Sequence, residues 1–444
     1  MHCTKSAIFV QWKVKTMEKH IIKQILLEQK EEIGELFTSR LIDREIMLRA
    51  KEAFNSDLIK IVMGVRRCGK STLSHQLLKD KFYGYVNFDD ERLMGINSND
   101  LNDFLEVLEE INPGVKYLLL DEIQNVEGWE LFVNRLKRKG YNVAITGSNS
   151  KLLSKELATH LTGRYFNLEL FPFSFKEFLI FKDIAISKDD FYSTKKRANL
   201  KRFLGEYLEM GGMPEIFRLK DKRSYLRELF NKIISQDVIY RYNVKYIKTL
   251  KEIGLYAVSN FSSPFTYHKI KNTFEIKSVH TIKNYLNYLE EAYLIFQVNP
   301  FSFKLKEQIK QARKMYCIDT GFINSFAPKT TLDYGRLMEN VVFIELIRRG
   351  KTAPAGRQEV YFYSQPDYEV DFLIKEGLSI KELIQVCFSI QDEDTKKREV
   401  KSLLKASDKL KCNNLFLITW DEEGEKLVNS KKIRFIPLWK WLLE

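Results

Sequence analysis

The 444-residue chain has no apolar run near the ~20 residues that a membrane-spanning helix needs. Ala7-Ile8-Phe9-Val10 is too short and too poorly flanked for a secretory signal core. The five cysteines, Cys3, Cys68, Cys317, Cys387 and Cys412, are odd in number and scattered. None lie in a C-x-x-C pair, which argues against a zinc site and a disulfide framework. A reducing cytoplasm is the expected location, with no membrane partner. Internal repeats and low-complexity tracts are missing too, so the length is expected to divide into two to four globular domains. What is present is 44% hydrophobic and 30% charged, with a formal net charge of +13. That balance favours a polyanionic partner without requiring one.

Gly64-Val65-Arg66-Arg67-Cys68-Gly69-Lys70-Ser71 fits G-x-x-x-x-G-K-[ST], the phosphate-binding loop. Leu58 to Met63 before it reads as a buried strand, and Thr72 to Leu78 after it as a helix start. Strand, glycine loop and helix let backbone N–H groups wrap a polyphosphate beside a positive helix end. Gly64 and Gly69 allow close approach. Lys70 is expected to reach the β- and γ-phosphates of ATP, and Ser71 to ligate Mg²⁺. A thiol at Cys68, inside the loop, predicts that alkylation blocks ATP binding.

About fifty residues on, Lys116-Tyr117-Leu118-Leu119-Leu120-Asp121-Glu122 reads as a strand ending in two acids. Asp121 fits a metal-holding role and Glu122 the base that deprotonates the attacking water. Tyr141 to Thr146 is a third strand, followed by Gly147-Ser148-Asn149. Ser148 or Asn149 is placed to touch the γ-phosphate or the water, and a helix cap accounts for either equally well. Asp89 and Asp90 end a further strand and are expected mainly to cap the next helix. Arg164, past the third strand, fits a finger reaching a neighbour's nucleotide or a solvated turn. Strands and helices alternate from 58 to 170, as in a parallel sheet covered on both faces. Met17 opens a helical pattern, so Met17 is as good a start as Met1.

Together with Leu170-Phe171-Pro172-Phe173-Ser174-Phe175-Lys176-Glu177-Phe178, these motifs resemble the AAA-type ATPases of bacteria and archaea that carry a C-terminal domain of unknown function. The resemblance covers roughly residues 20–440. It implies an α/β fold with a P-loop ATPase core of the additional-strand (ASCE) division. A helical lid, a winged helix and a C-terminal domain similar to restriction endonucleases follow. The expected boundaries are an N-terminal extension over 1–30, the core over 31–182, the lid over 183–258, the winged helix over 259–325 and the last domain over 326–444.

Residues 269–274 and 278–289 read as a helix-turn-helix, with strands near 295–298 and 313–318 as a wing. Nine Lys/Arg against four Asp/Glu between 265 and 315 suit phosphate contact. Ser278, His280, Thr281, Lys283 and Asn284 are then the candidate contacts to double-stranded DNA. Packing or protein contact is the competing use of the same helices. Arg241 is a candidate nucleotide-sensing arginine of the lid. In the last domain Glu339, Asp371 and Gln385 match a helix glutamate, a strand aspartate and the first position of a Glu/Gln-x-Lys strand, where such endonucleases hold magnesium. Cys387 stands where that pattern has lysine, which argues for a domain that binds without cutting. The expected activity is in-line attack of water on the γ-phosphate of Mg·ATP, coupled to DNA as a motor or switch. A nucleotide-gated protein-interaction switch, with self or another protein as partner, and an ATP-regulated nuclease are the alternatives.

Overall fold

The computed structural model describes residues 17–38, 40–149, 165–327, 333–352 and 358–444. Strands β1 (Ile59–Met63), β2 (Tyr83–Asn87), β3 (Tyr117–Asp121), β4 (Asn142–Gly147) and β5 (Tyr165–Glu169) form a parallel sheet in the order β2-β3-β4-β1-β5. β4 therefore lies between the loop-bearing β1 and the acid-bearing β3, in register through Leu120↔Ile145 and Met63↔Gly147. Helices α1 (Lys19–Thr38), α2 (Met47–Asn55), α3 (Lys70–Leu78), α4 (Leu101–Ile111) and α5 (Trp129–Arg138) accompany it.

Cover on both faces explains why the inner strands read as nearly unbroken apolar runs. Every residue of β1 is buried, even Lys60, whose ammonium reaches the Ser56 carbonyl at 2.6 Å and the Asn142 side chain. Burial pushes that lysine down to about 8. The α4 pattern turns Leu101, Phe104, Leu105, Val107 and Leu108 inward. On the β2 edge, Gln29 of α1 bonds the Asn87 carbonyl at 3.1 Å and its N–H at 2.9 Å. That amide stands in for a neighbouring strand and caps an edge otherwise open to pairing.

After β5 the chain is helical: α6 (Phe175–Phe181), α7 (Thr194–Met210), α8 (Lys222–Lys232), a π-helical turn (Ile233–Tyr240) and α9 (Ile247–Ser259). Next come β6 (Ser263–Phe265), α10 (Tyr267–Thr273), α11 (Val279–Glu291), β7 (Ile295–Val298), α12 (Leu305–Lys310) and β8 (Arg313–Cys317). The three strands form an antiparallel sheet in the order β6-β8-β7. Helices α13 (Thr320–Phe326) and α14 (Tyr334–Thr352) lead into β9 (Gln358–Gln365), β10 (Tyr368–Glu376) and β11 (Ser379–Val386). Then follow α15 (Glu393–Leu410), β12 (Leu415–Thr419), β13 (Gly424–Val428), β14 (Lys431–Pro437) and α16 (Leu438–Trp441). That sheet is mixed, in the order β13-β14-β12-β11-β10-β9.

The C-terminal region is welded to the first sheet. Arg348 of α14 donates to the Pro172 carbonyl at 3.1 Å, Lys351 pairs with Glu169 at 2.8 Å, and Trp439 is fully buried. One apolar core runs continuously from α1 to α16, and a second lies between α15 and strands β9–β12 and β14. Among the described residues, no helix is long and apolar enough to cross a membrane.

Candidate functional site

The loop after β1 and the acids at the end of β3 sit at the carboxyl edge of the parallel sheet, where ligands of such sheets bind. Between them lies a cavity of about 380 Å³. One wall is loop and helix start, from Arg66 and Arg67 through Gly69, Lys70, Ser71 and Thr72. Asp89, Asp121 and Glu122 face it, and Leu41, Ile42, Phe173, Phe181 and Pro214 line the apolar part. A methyl on Gly64 would meet the Leu170 carbonyl oxygen at 2.1 Å, so the segment after β5 presses on the loop and only glycine fits. Arg67 (φ 67°) and Gly69 (φ 99°) are left-handed, which curls the loop into α3.

Val65 and Cys68 offer the cavity no side chain, because both are fully buried in the core. The Cys68 thiol faces the Leu170 carbonyl at 3.4 Å, and burial raises its pKa. The expected alkylation switch is therefore corrected. Position 68 of the loop faces inward, away from reagent.

Lys70 is buried, with its ammonium on the Gly64 carbonyl at 3.2 Å and on Glu122 at 3.1 Å. Burial would raise the Glu122 carboxyl, but Lys70 and Arg66 outweigh it and hold that acid at about 2. Glu122 takes the left-handed φ of 51°, uncommon away from glycine, which turns its carboxylate toward the loop. The Thr146 hydroxyl pins the pair, accepting from the Glu122 N–H at 3.1 Å and donating to Asp121. Asp121 also accepts from Tyr85 at 3.2 Å and is hydrogen-bonded to Ser71. Its carboxyl is raised by burial and by the Glu122 charge. A buried acid in that state, beside a serine hydroxyl, is a hard-oxygen pair that a divalent cation would relieve.

Sequence reasoning missed Arg44. Its guanidinium is buried, donates to the Cys68 carbonyl at 3.0 Å and the Phe171 carbonyl at 2.7 Å, and pairs with Glu177 at 2.9 Å. It clamps the phosphate loop from behind. No local motif announces it, since its partners lie 24, 127 and 133 residues away.

Ser148 and Asn149 follow β4 as expected, but neither lines the cavity. Ser148 donates to Asp237 at 2.7 Å and Asn149 to the Tyr242 hydroxyl at 2.8 Å, so both face the helical region. Asp237 was not foreseen. It also takes Arg66 at 3.1 Å, while Asp89 takes the other side of that guanidinium at 2.7 Å. Asp90 does cap the next turn, accepting from the Arg92 N–H at 3.1 Å. Arg67 pairs with Glu215 at 3.0 Å. Arg241 does not line the cavity, and Arg164 lies outside the described residues.

Of the five candidate DNA contacts, Ser278, His280 and Lys283 are exposed on α11, with Thr281 and Asn284 half-buried. Ser278 caps the helix through the His280 N–H, and Asn284 bonds the His280 ring at 3.2 Å. In the last region Glu339 and Asp371 come together, but around a lysine that sequence reasoning did not consider. Lys314 of β8 is buried and sits 3.0 Å from Glu339, 2.7 Å from Glu369 and 3.1 Å from Asp371. Tyr316 donates to Glu339 at 2.7 Å. Gln385 stands behind, accepting from the Asp371 N–H at 3.3 Å and donating to Glu399 at 2.7 Å. The Cys387 thiol turns to the Ser389 carbonyl at 3.1 Å.

A family model described as an AAA domain matches residues 56–179. Two domains of unknown function, DUF8612 and DUF4143, match residues 201–333 and 334–441. The chain is similar to an uncharacterized protein of Methanocaldococcus jannaschii, with 39% identity over 92% of this chain and 95% of that one. It is also similar to an uncharacterized protein of Haemophilus influenzae, with 32% identity over 91% of this chain and 99% of that one. Among solved structures, the Walker-type ATPase PABY2304 of Pyrococcus abyssi aligns with a TM-score of 0.41 at 14% identity, over 64% of this chain and 95% of that one.

Proposed function

The chain belongs to the same protein family as the Methanocaldococcus jannaschii and Haemophilus influenzae proteins, and on that premise we propose that it is a magnesium-dependent ATP hydrolase acting as a DNA-associated switch. The proposed layout is an N-terminal extension (1–30), an ATPase core (31–182), a helical lid (183–258), a winged helix (259–325) and a restriction-endonuclease-like domain that does not cut (326–444). One observation carries the hydrolase reading: the Lys70–Glu122 pair at 3.1 Å, beside Ser71 and Asp121, on the floor of the cavity.

That pair is a resting arrangement. A polyphosphate entering the loop claims the Lys70 ammonium, since phosphate oxygens carry more charge than one carboxylate. Glu122 then loses the cation that most depresses its proton affinity, while its burial remains. Its pKa rises toward that of a useful base, and it accepts the proton of the water that attacks the γ-phosphorus in line. Ser71 and Asp121 would hold Mg²⁺, which when bound neutralises charge on the phosphates. Leu41, Ile42 and Phe181 would offer the adenine ring of ATP an apolar seat.

The DNA reading rests on the net charge of +13 and on the exposed Ser278, His280 and Lys283 at the start of α11. A switch that contacts protein instead is favoured by Phe303, Leu305 and Ile309 between β7 and β8, which are 77%, 68% and 63% exposed. An ATP-regulated nuclease is disfavoured because the Lys314 ammonium already fills the space between Glu339, Glu369 and Asp371. ATP turnover at rising concentrations of double-stranded DNA, with Glu122→Gln as control, decides among these. Salt-sensitive stimulation supports the DNA switch. Glu122-dependent turnover that ignores DNA moves the reading to the protein switch. Plasmid cleavage lost in Asp371→Ala would establish the nuclease.

A further inference from the structure

One side chain of the phosphate loop and one at the end of β4 are tied to the same acid outside the parallel sheet. Asp237 is 2% exposed and sits in the π-helical turn Ile233–Tyr240. Its Oδ1 accepts from the Ser148 hydroxyl at 2.7 Å and its Oδ2 from Arg66 Nε at 3.1 Å. Arg66 belongs to the phosphate loop and lines the cavity. Ser148 follows β4, and the next residue, Asn149, donates to Tyr242, two residues past the turn. Tyr242 in turn donates to Glu291 and stacks on Tyr288, ring centroids 3.9 Å apart and planes 7° from parallel. Glu291 and Tyr288 belong to α11, so contacts run from the phosphate loop through Asp237 to Ser148, across the Ser148–Asn149 peptide bond, and through Tyr242 to that helix.

We propose that Asp237 is a positioning residue for ATP hydrolysis that holds Arg66 until the γ-phosphate takes it, and that this exchange releases the π-helical turn and moves α11. Guanidinium groups bind phosphate by paired, charge-assisted hydrogen bonds, which makes Arg66 the group for which Asp237 and the nucleotide compete. ADP carries less charge and ends one phosphate short. It leaves Arg66 on Asp237. The turn suits the role because an i→i+5 turn is a local departure from α-helix, of the kind found mostly at functional sites. Ser148 keeps its bond to Asp237 throughout, so the β4 end and the turn move together.

The inference rests on nucleotide binding in the cavity but not on DNA. Its test is the ratio of ATP to ADP affinity, measured with non-hydrolysed ATP analogue and ADP, in wild type and Asp237→Asn. Asparagine keeps an acceptor for Ser148 and removes one of the two charges that hold Arg66, leaving Asp89 as the other. Affinity for the ATP analogue should rise about tenfold, the scale of one charge-assisted contact, with ADP affinity unchanged. A merely structural role for Asp237 would weaken both nucleotides alike. Hydrogen exchange on the wild-type chain covers the case in which the variant does not fold. The ATP analogue, and not ADP, should speed exchange across 233–242 and alter it in 279–291. An unchanged affinity ratio in folded Asp237→Asn, or identical exchange with both nucleotides, overturns the proposal while the ATP site stands. No binding of either nucleotide to wild type overturns both.

Discussion

Replacing Glu122 by glutamine separates two effects that the carboxylate exerts, and they move in opposite directions. As a base it is needed for turnover, and losing a general base costs about 10²–10⁴ in rate. As the resting partner of Lys70 it opposes binding. At 3.1 Å and an effective dielectric of ~20, the gross attraction is about 5 kcal/mol. Most of that returns when the phosphates replace the carboxylate around the ammonium. A residue of about 1 kcal/mol should appear as ATP affinity some five- to tenfold tighter in Glu122→Gln. Fluorescent-nucleotide titration gives the affinity, and single-turnover phosphate release gives the chemical step. The variant should therefore bind ATP more tightly and hydrolyse it at least a hundredfold more slowly. Turnover at the wild-type rate would refute Glu122 as the base. Binding weakened tenfold in a folded variant would refute the Lys70–Glu122 pair as a competitor of phosphate.

Cys68 should stay unmodified by N-ethylmaleimide in the native protein, with ATP affinity intact, because its thiol is fully buried; peptide mass spectrometry with and without denaturant checks it. Lys314→Met leaves Glu339 and Asp371 buried without their cation and should cost about 3–5 kcal/mol, read from urea unfolding, with part recovered at acid pH as Glu339 protonates. Glu339 is held up at about 7 by burial and by Asp371, against the pull of Lys314 and with Tyr316 donating to it. A folded pKa above the unfolded one means a stabilising contribution that is full below the unfolded value of ~4.3 and lost as pH rises through about 7. Glu339→Gln should therefore flatten the melting temperature between pH 4.5 and 7.5 relative to wild type, measured by calorimetry. A variant that falls as steeply as wild type would refute this.

The parallel sheet and the placement of its loops are legible in the sequence because each rests on local pattern. Ile59–Met63 and Tyr117–Asp121 read as strands from their apolar runs, and the glycines and acids fall where the runs stop. Helices α10 and α11 are legible for the same reason, with Thr266 and Ser278 as side-chain caps. The hairpin of β13 and β14 is not. Gly424–Val428 is largely exposed and polar, so it carries no alternation to read, and it exists by pairing with β14. Lys60 and Lys314 defeat composition-based reading in another way, being cations that are buried because a strand carries each to fixed acceptors.

What remains hidden at the site has a single cause. Arg66 finds Asp237 across 171 residues, and Lys314 finds Asp371 across 57. Spacing rules describe one turn or one hairpin, so they report which groups a loop offers and not which distant acid will hold them. A buried guanidinium or ammonium must have such a partner, because the cost of leaving its charge unpaired exceeds most single contacts. Of the two arginines that the phosphate loop offers beyond Lys70, Arg67 is exposed and Arg66 is buried. The fold pairs the buried one, Arg66, with Asp89 and with Asp237 of the helical region. A polyphosphate in the cavity therefore competes with contacts to the helical region from the moment it reaches Arg66. Coupling between nucleotide and helices is then a consequence of where the charges are paired, whichever partner α11 meets.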